Sequence, residues 1–116
     1  MDMGKDYAAR ATAIDLASRE LFQAAPGPMG AYRDLMTKVS VDGALDAKTK
    51  ELMALAISVA IRCEGCITYH ARASTKKGAS REEVVEAITV AVEMGGGPAA
   101  VYGAEALAAF DQFDGG

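Results

Sequence analysis

The chain has no tryptophan, and only three phenylalanines and four tyrosines among its 116 residues. With so few large rings, its hydrophobic share of 51% leans on alanine. Alanine-rich helices carry thin side-chain layers and can approach closely, which leaves little bulky core for a lone copy. That predicts a homo-oligomer burying helix faces between chains. Long apolar runs are missing too. The richest, Leu52 to Ile61, is far too short to cross a bilayer. Asp2, Lys5 and Asp6 put charge where a signal peptide needs its apolar region. No Lys/Arg run exceeds the pair Lys76-Lys77, and the formal net charge is -4. Both features disfavour nucleic acid and anionic membranes as partners. Charged residues at 24% fit a folded globule, and the length fits one domain over residues 1–116. A cytoplasmic location is expected.

Cysteine and histidine are scarcest, and their placement is informative. The only cysteines, Cys63 and Cys66, stand three apart, and the only histidine, His70, follows four later. On a helix those spacings share one face. In a reducing compartment such a pair points to reactive or metal-binding thiols rather than a permanent staple. A dithiol, an imidazole able to carry a proton and an upstream carboxylate, Glu51, are the parts of a thiol redox centre.

No strand-like alternation stands out, whereas helix punctuation is frequent. The expectation is an all-α fold of about six helices. Asp6 to Ala24 reads as the first, with Tyr7, Ile14 and Leu21 on one stripe; Pro26-Gly27-Pro28 should break it. A second runs from about Met29 to Val39, followed by a loop over Ser40 to Leu45 with the turn pair Asp42-Gly43. Asp46 can cap a third helix, apolar nearly all round at its far end and so expected to be central and buried. The register should break near Arg62 to Gly65. A fourth helix then carries Cys66 and His70 and stops at Lys76-Lys77-Gly78. Ser80-Arg81-Glu82-Glu83 is a capping box opening the fifth, with Val84, Val85, Ile88 and Val92 facing the core. Gly95-Gly96-Gly97 should stop it. Pro98 should open a sixth helix with a small-residue face, and Gly115-Gly116 should fray.

Cysteine does redox work as thiolate, and a free pKa of about 8.5 leaves little of it at neutral pH. A helix N-terminus favours the thiolate, and Cys63 and Cys66 fall where one is expected. Gly65 leaves room beside them. His70 lies one turn beyond Cys66 but about two turns beyond Cys63. Cys66 is therefore the better base-activated thiol, and Cys63 its resolving partner. Glu51 depends on a turn in the chain. On one straight helix it would stand about 28 Å from His70. If the fourth helix folds back on the third, the axial offset falls to about 7 Å. Glu51 would then draw the Cys66 proton through His70 or a water.

Other readings exist. Cys63, Cys66, His70 and Glu51 could supply four zinc ligands in a non-catalytic metal-binding oligomer. The cysteines could be small core residues. A c-type haem is disfavoured because Ile67, not histidine, follows Cys66. A thioredoxin fold is disfavoured by the missing βαβ pattern. Tyr69 reads as packing, and Arg62 and Glu64 either tune the dithiol or are solvated. The Gly95-Gly96-Gly97 run lacks the surroundings of a phosphate loop.

Glu51, eleven residues, then Cys63-x-x-Cys66-x-x-x-His70 resembles the core signature of the alkylhydroperoxidase D-like branch of the carboxymuconolactone decarboxylase superfamily. Ser80-Arg81-Glu82-Glu83, Glu86-Ala87-Ile88 and Met94-Gly95-Gly96-Gly97-Pro98 continue the resemblance, which covers about residues 30 to 110. It implies an all-α fold and homo-oligomers, commonly trimers or hexamers. It also implies thiol-dependent peroxidase or disulfide reductase activity. Cys66 would attack the hydroperoxide, Cys63 resolve the sulfenate, and Glu51 and His70 relay protons. A dihydrolipoyl carrier would be the reductant, with no cofactor or resident metal. One departure is Gly65, which stands where the prototype peroxidase has a second histidine. The superfamily name suggests a rival activity, a lyase acting on a lactone acid, which would need no redox dithiol.

Overall fold

The structure, a computed structural model, describes residues 3–115. Six helices account for nearly all of them: α1 (Tyr7–Ala24), α2 (Pro26–Val39), α3 (Ala47–Ala60), α4 (Glu64–Lys76), α5 (Arg81–Gly95) and α6 (Gly97–Gly115). Among the described residues there is no strand, so the all-α expectation holds.

Two helices, α3 and α5, start on side-chain caps expected from the sequence, and α1 starts on one that was not. Asp6 accepts from the Ala9 amide and Asp46 from the Thr49 amide, at 3.0 and 2.7 Å. Ser80 and Glu83 complete the capping box, each accepting from the other's backbone amide. Each such cap contributes about 1 kcal/mol by satisfying an otherwise orphaned amide.

Other boundaries differ from expectation. Pro26-Gly27-Pro28 does not separate α1 from α2; it forms the first turn of α2. Proline loses nothing there, because the first helical amides have no intrahelical partner. The chain instead breaks at Ala25. Of the three glycines 95–97, only Gly96 lies outside a helix, at φ +71°. Gly115 closes α6 rather than fraying, whereas Gly116 lies outside the described residues, as do Met1 and Asp2.

Helices α3 to α6 form the core. α3 and α4 pair as one antiparallel hairpin, α5 and α6 as another, and the two stack with α4 on α6 and α3 on α5. Leu55 and Val59 from α3, Ile67 from α4, Val84 from α5 and Phe110 from α6 are fully buried. Each contributes about 1.5–3 kcal/mol by leaving water. The small-residue face of α6 does the work expected of it. A Cβ at Gly103 would stand 2.7 Å from Cγ2 of Ile88, so glycine is what lets α5 and α6 come together. Val85 and Val92, expected in the core, are only partly buried and line a groove along that seam.

The expected burial of α3 was too wide. Its inner face is buried, but Ile57 and Ile61 are 56% and 64% exposed. α1 lies across α4 and α6, with Tyr7 fully buried, Ile14 half-buried and Leu21 exposed. α2 packs on α1 and buries none of its residues. Tyr32 and Leu35 on its apolar side remain exposed. No helix among the described residues is long and apolar enough to cross a membrane.

Candidate functional site

The site is made by the reversal between α3 and α4. The Cys63 amide donates to the Ser58 carbonyl at 3.0 Å and the Arg62 amide to the Val59 carbonyl at 3.2 Å. These two bonds define a Schellman ending of α3. It requires one left-handed residue, and Arg62 supplies it at φ +61°, where glycine is usual. The chain folds back here, as the break expected near Arg62 to Gly65 required.

Cys63 is the N-cap of α4. Its Sγ accepts from the Cys66 amide at 3.2 Å, and the two cysteines are joined as a disulfide with Cα atoms 5.2 Å apart. Both sulfurs thus sit at the positive end of the helix, where backbone amides and the helix dipole favour a thiolate once the pair is reduced.

The fold-back also brings Glu51 to His70. The carboxylate Oε1 and the ring Nδ1 are hydrogen-bonded, with side chains only 12% and 27% exposed. A carboxylate only accepts, so in the neutral ring the proton sits on Nδ1 and Nε2 keeps its lone pair. His70 lies one turn beyond Cys66 on α4. Cys66 and His70 together line a partly open, mainly apolar cavity of about 380 Å³, bordered by Ile14 and Phe22 of α1 and by Tyr32 and Met36 of α2. Gly65 is part of its wall, and a Cβ there would meet Ile14 Cδ1 at 3.6 Å. Glu51 opens instead onto a second cavity of about 310 Å³, which shares Tyr32, Met36, Tyr69 and His70 with the first. The four residues singled out in the sequence thus form two bonded pairs, Cys63 with Cys66 and Glu51 with His70, linked by the cavity that Cys66 and His70 share.

Three further side chains flank the site. Tyr69 packs edge-on against His70, with ring centroids 4.9 Å apart and planes at 80°. The Arg72 guanidinium lies 5.7 Å above the Tyr69 ring. Arg72 is itself held by Asp15 of α1 through two hydrogen bonds, at 3.0 and 3.2 Å. That pair holds the Asp15 carboxyl below its ordinary range and raises Arg72. Tyr69 and Arg72 share a face by spacing, which the sequence does reveal. The link to Asp15 spans 57 positions and leaves no local signal.

Behind the disulfide lies a charged cluster. Glu64, first residue of α4, is paired with Lys5 at 3.1 Å and also with Arg10. The Lys5 hydrogen bond, helped by the nearby Arg10 charge, outweighs the opposing effect of burial and leaves its carboxyl below the usual glutamate range. Lys5 also pairs with Glu105 of α6, which is buried and accepts from the Tyr7 hydroxyl at 3.1 Å. Burial, then the bond to Glu105, push the Tyr7 phenol well above its ordinary value. Glu64 is thus an ion-paired, partly exposed side chain rather than a freely solvated one. Among the described residues, no group of three or more His, Cys, Asp and Glu is gathered closely enough to hold a metal ion.

Residues 26–109 match the model of the carboxymuconolactone decarboxylase family. An uncharacterized protein from Cupriavidus necator is 38% identical over 109 residues, covering 94% of this chain and 96% of its own. An uncharacterized protein encoded in the cox locus of Paracoccus denitrificans is 41% identical over 85 residues, 73% of this chain and 77% of its own. Among solved structures, an apo carboxymuconolactone decarboxylase family protein from Legionella pneumophila superposes with a TM-score of 0.90 at 41% identity, covering 93% of this chain and 96% of its own. A family protein from Thermotoga maritima, described as a candidate for involvement in antioxidative response, gives 0.80 at 30% identity, covering 89% and 88%.

Proposed function

The chain belongs to the carboxymuconolactone decarboxylase family, and within it we propose a thiol-dependent peroxidase or disulfide oxidoreductase that cycles Cys63 and Cys66. The observation carrying this reading is the shared cavity: Cys66 and His70 line it together, with Cys63 bonded to Cys66 and Glu51 bonded to His70. The description of the Thermotoga maritima relative agrees with it.

In the reduced protein, His70 Nε2 takes the Cys66 proton, and Glu51 stabilises the resulting imidazolium. The Cys66 thiolate attacks the terminal oxygen of a hydroperoxide. The O–O bond breaks, the alkoxide leaves with the proton held by His70, and Cys66 becomes a sulfenic acid. The Cys63 thiol attacks that sulfur, forming the disulfide and releasing water. A dihydrolipoyl-type dithiol restores both thiols and leaves as its own disulfide. For a disulfide substrate, Cys66 attacks a sulfur directly and Cys63 resolves the mixed disulfide. Gly65 removes the histidine of the prototype at that position, so His70 is the sole imidazole serving the sulfurs.

The working form is a homo-oligomer, a trimer or hexamer, assembled through the exposed apolar residues of α2, α3 and α5, with Leu35, Ile57 and Met94 at 60%, 56% and 79% exposure. Light scattering of the eluting protein tests the subunit number.

The activity is tested by supplying dihydrolipoamide and an organic hydroperoxide. The reading expects one dithiol oxidised per hydroperoxide consumed. No hydroperoxide-dependent and no disulfide-dependent oxidation of the donor would overturn it.

A further inference from the structure

Three cavities meet at Tyr69 and Met36. The first holds Cys66 and His70, the second lies on the Glu51 side, and the third is an outer groove of about 830 Å³ between α1 and α2. Two side chains border all three, Tyr69 from α4 and Met36 from α2. Met36 is unbranched and can turn aside for a ligand. Tyr69 is held from two sides. Its ring packs edge-on to His70, and the Arg72 guanidinium sits over it. Arg72 cannot swing away freely, because Asp15 grips it through two hydrogen bonds.

We propose that Tyr69 is the partition that decides what reaches Cys66, and that Asp15 and Arg72 are positioning residues that keep it closed. The proposal rests on the reading of the Cys66 cavity as the reacting site. With the ring in place, the inner cavity accepts small apolar molecules, while bulky ones stop in the outer groove. Without it, the three spaces run together and bulk is no longer discriminated. The phenol oxygen has no part in this, since the work is done by the ring.

The test reads access to the sulfur rather than turnover. In a Cys63→Ser background, serine can keep the cap on the Cys66 amide, and Cys66 is the one thiol left. Its alkylation rate is measured with iodoacetamide, which is small, and with monobromobimane, which is bulky. Both reagents consume the same thiolate, so changes in its pKa largely cancel in the ratio of the two rates. Tyr69→Ala is expected to raise the bimane-to-iodoacetamide ratio by about tenfold, the scale on which pocket walls discriminate size. Tyr69→Phe should leave the ratio at the parent value. Arg72→Met should raise it, and Arg72→Lys, which keeps a cation for Asp15 and the ring, should bring it back. Tyr69 is 43% exposed, so the alanine variant should fold; if it does not, the Arg72 pair carries the comparison. An unchanged ratio in both Tyr69→Ala and Arg72→Met would overturn the proposal, as would a rise in Tyr69→Phe equal to that in Tyr69→Ala. A flat ratio leaves the dithiol cycle standing, and a protein without turnover leaves this ratio readable, so the two failures are distinct.

Discussion

His70 presents Nδ1 to the carboxylate of Glu51, an acid nineteen positions earlier and on the other arm of the α3–α4 hairpin. The pair fixes which ring nitrogen is free, and so which way the proton from a thiol can go. Glu51→Gln keeps the shape and removes the charge that stabilises an imidazolium. Turnover of hydroperoxide should fall by about 100-fold or more, the usual contribution of a positioned acid–base group. The helical circular dichroism spectrum should not change. An unchanged turnover rate would remove the relay from the mechanism.

Cys63 caps α4 and is bonded to Cys66, and in the proposed cycle it would also resolve the Cys66 sulfenic acid. Cys63→Ser separates capping from resolving, because serine is a good cap and no resolver. Multiple turnover should stop after one hydroperoxide per chain. The Cys66 sulfenic acid should then persist long enough to be captured by dimedone, read as a mass increase on the peptide. A lyase acting on a lactone acid would keep its full rate in this variant, and that result would favour the rival activity.

The caps and the dithiol were legible because their signals are local. Asp46 and Ser80-x-x-Glu83 act on amides within three residues of themselves. Cys63, Cys66 and His70 lie within two turns of one helix. Glu51 could be tied to His70 only on condition of a turn, and the feature making that turn, Arg62 in the left-handed region, is not one a sequence announces. Pro26-Gly27-Pro28 misled because proline breaks a helix interior yet opens a helix freely, and composition does not say which end it occupies. The Asp15–Arg72–Tyr69 brace and the Lys5–Glu64 pair join residues 57 and 59 positions apart. Only tertiary packing creates them.

Arg62 is a direct test of that turn. A β-branched residue tolerates the left-handed region poorly, so Arg62→Val should cost about 1–2 kcal/mol in urea unfolding. Arg62→Gly removes the steric conflict and should leave stability equal to the parent or higher. Equal losses in both variants would mean that the arginine side chain, not its backbone, holds the reversal.

Glu64 gives a pH signature. Lys5 first, with Arg10, lowers its carboxyl in the folded state. A depressed carboxyl contributes stability above its unfolded pKa, about 4.3, and that contribution is lost as pH falls through the lower folded value. Asp15, lowered by Arg72, acts in the same direction. Glu64→Gln should therefore make the acid loss of stability shallower, seen as a smaller drift of the urea midpoint between about pH 6 and pH 3. A midpoint curve parallel to the parent's would contradict the pairing.

The dithiol cycle itself is settled most directly by counting thiols. Fully reduced protein is treated with an equimolar organic hydroperoxide, its free thiols are titrated under denaturing conditions, and the count is repeated after dihydrolipoamide. The predicted result is the loss of both thiols, Cys63 and Cys66, as an intramolecular disulfide, and the return of both with the donor. Thiols that survive the hydroperoxide, or that pair only between chains, would contradict the account.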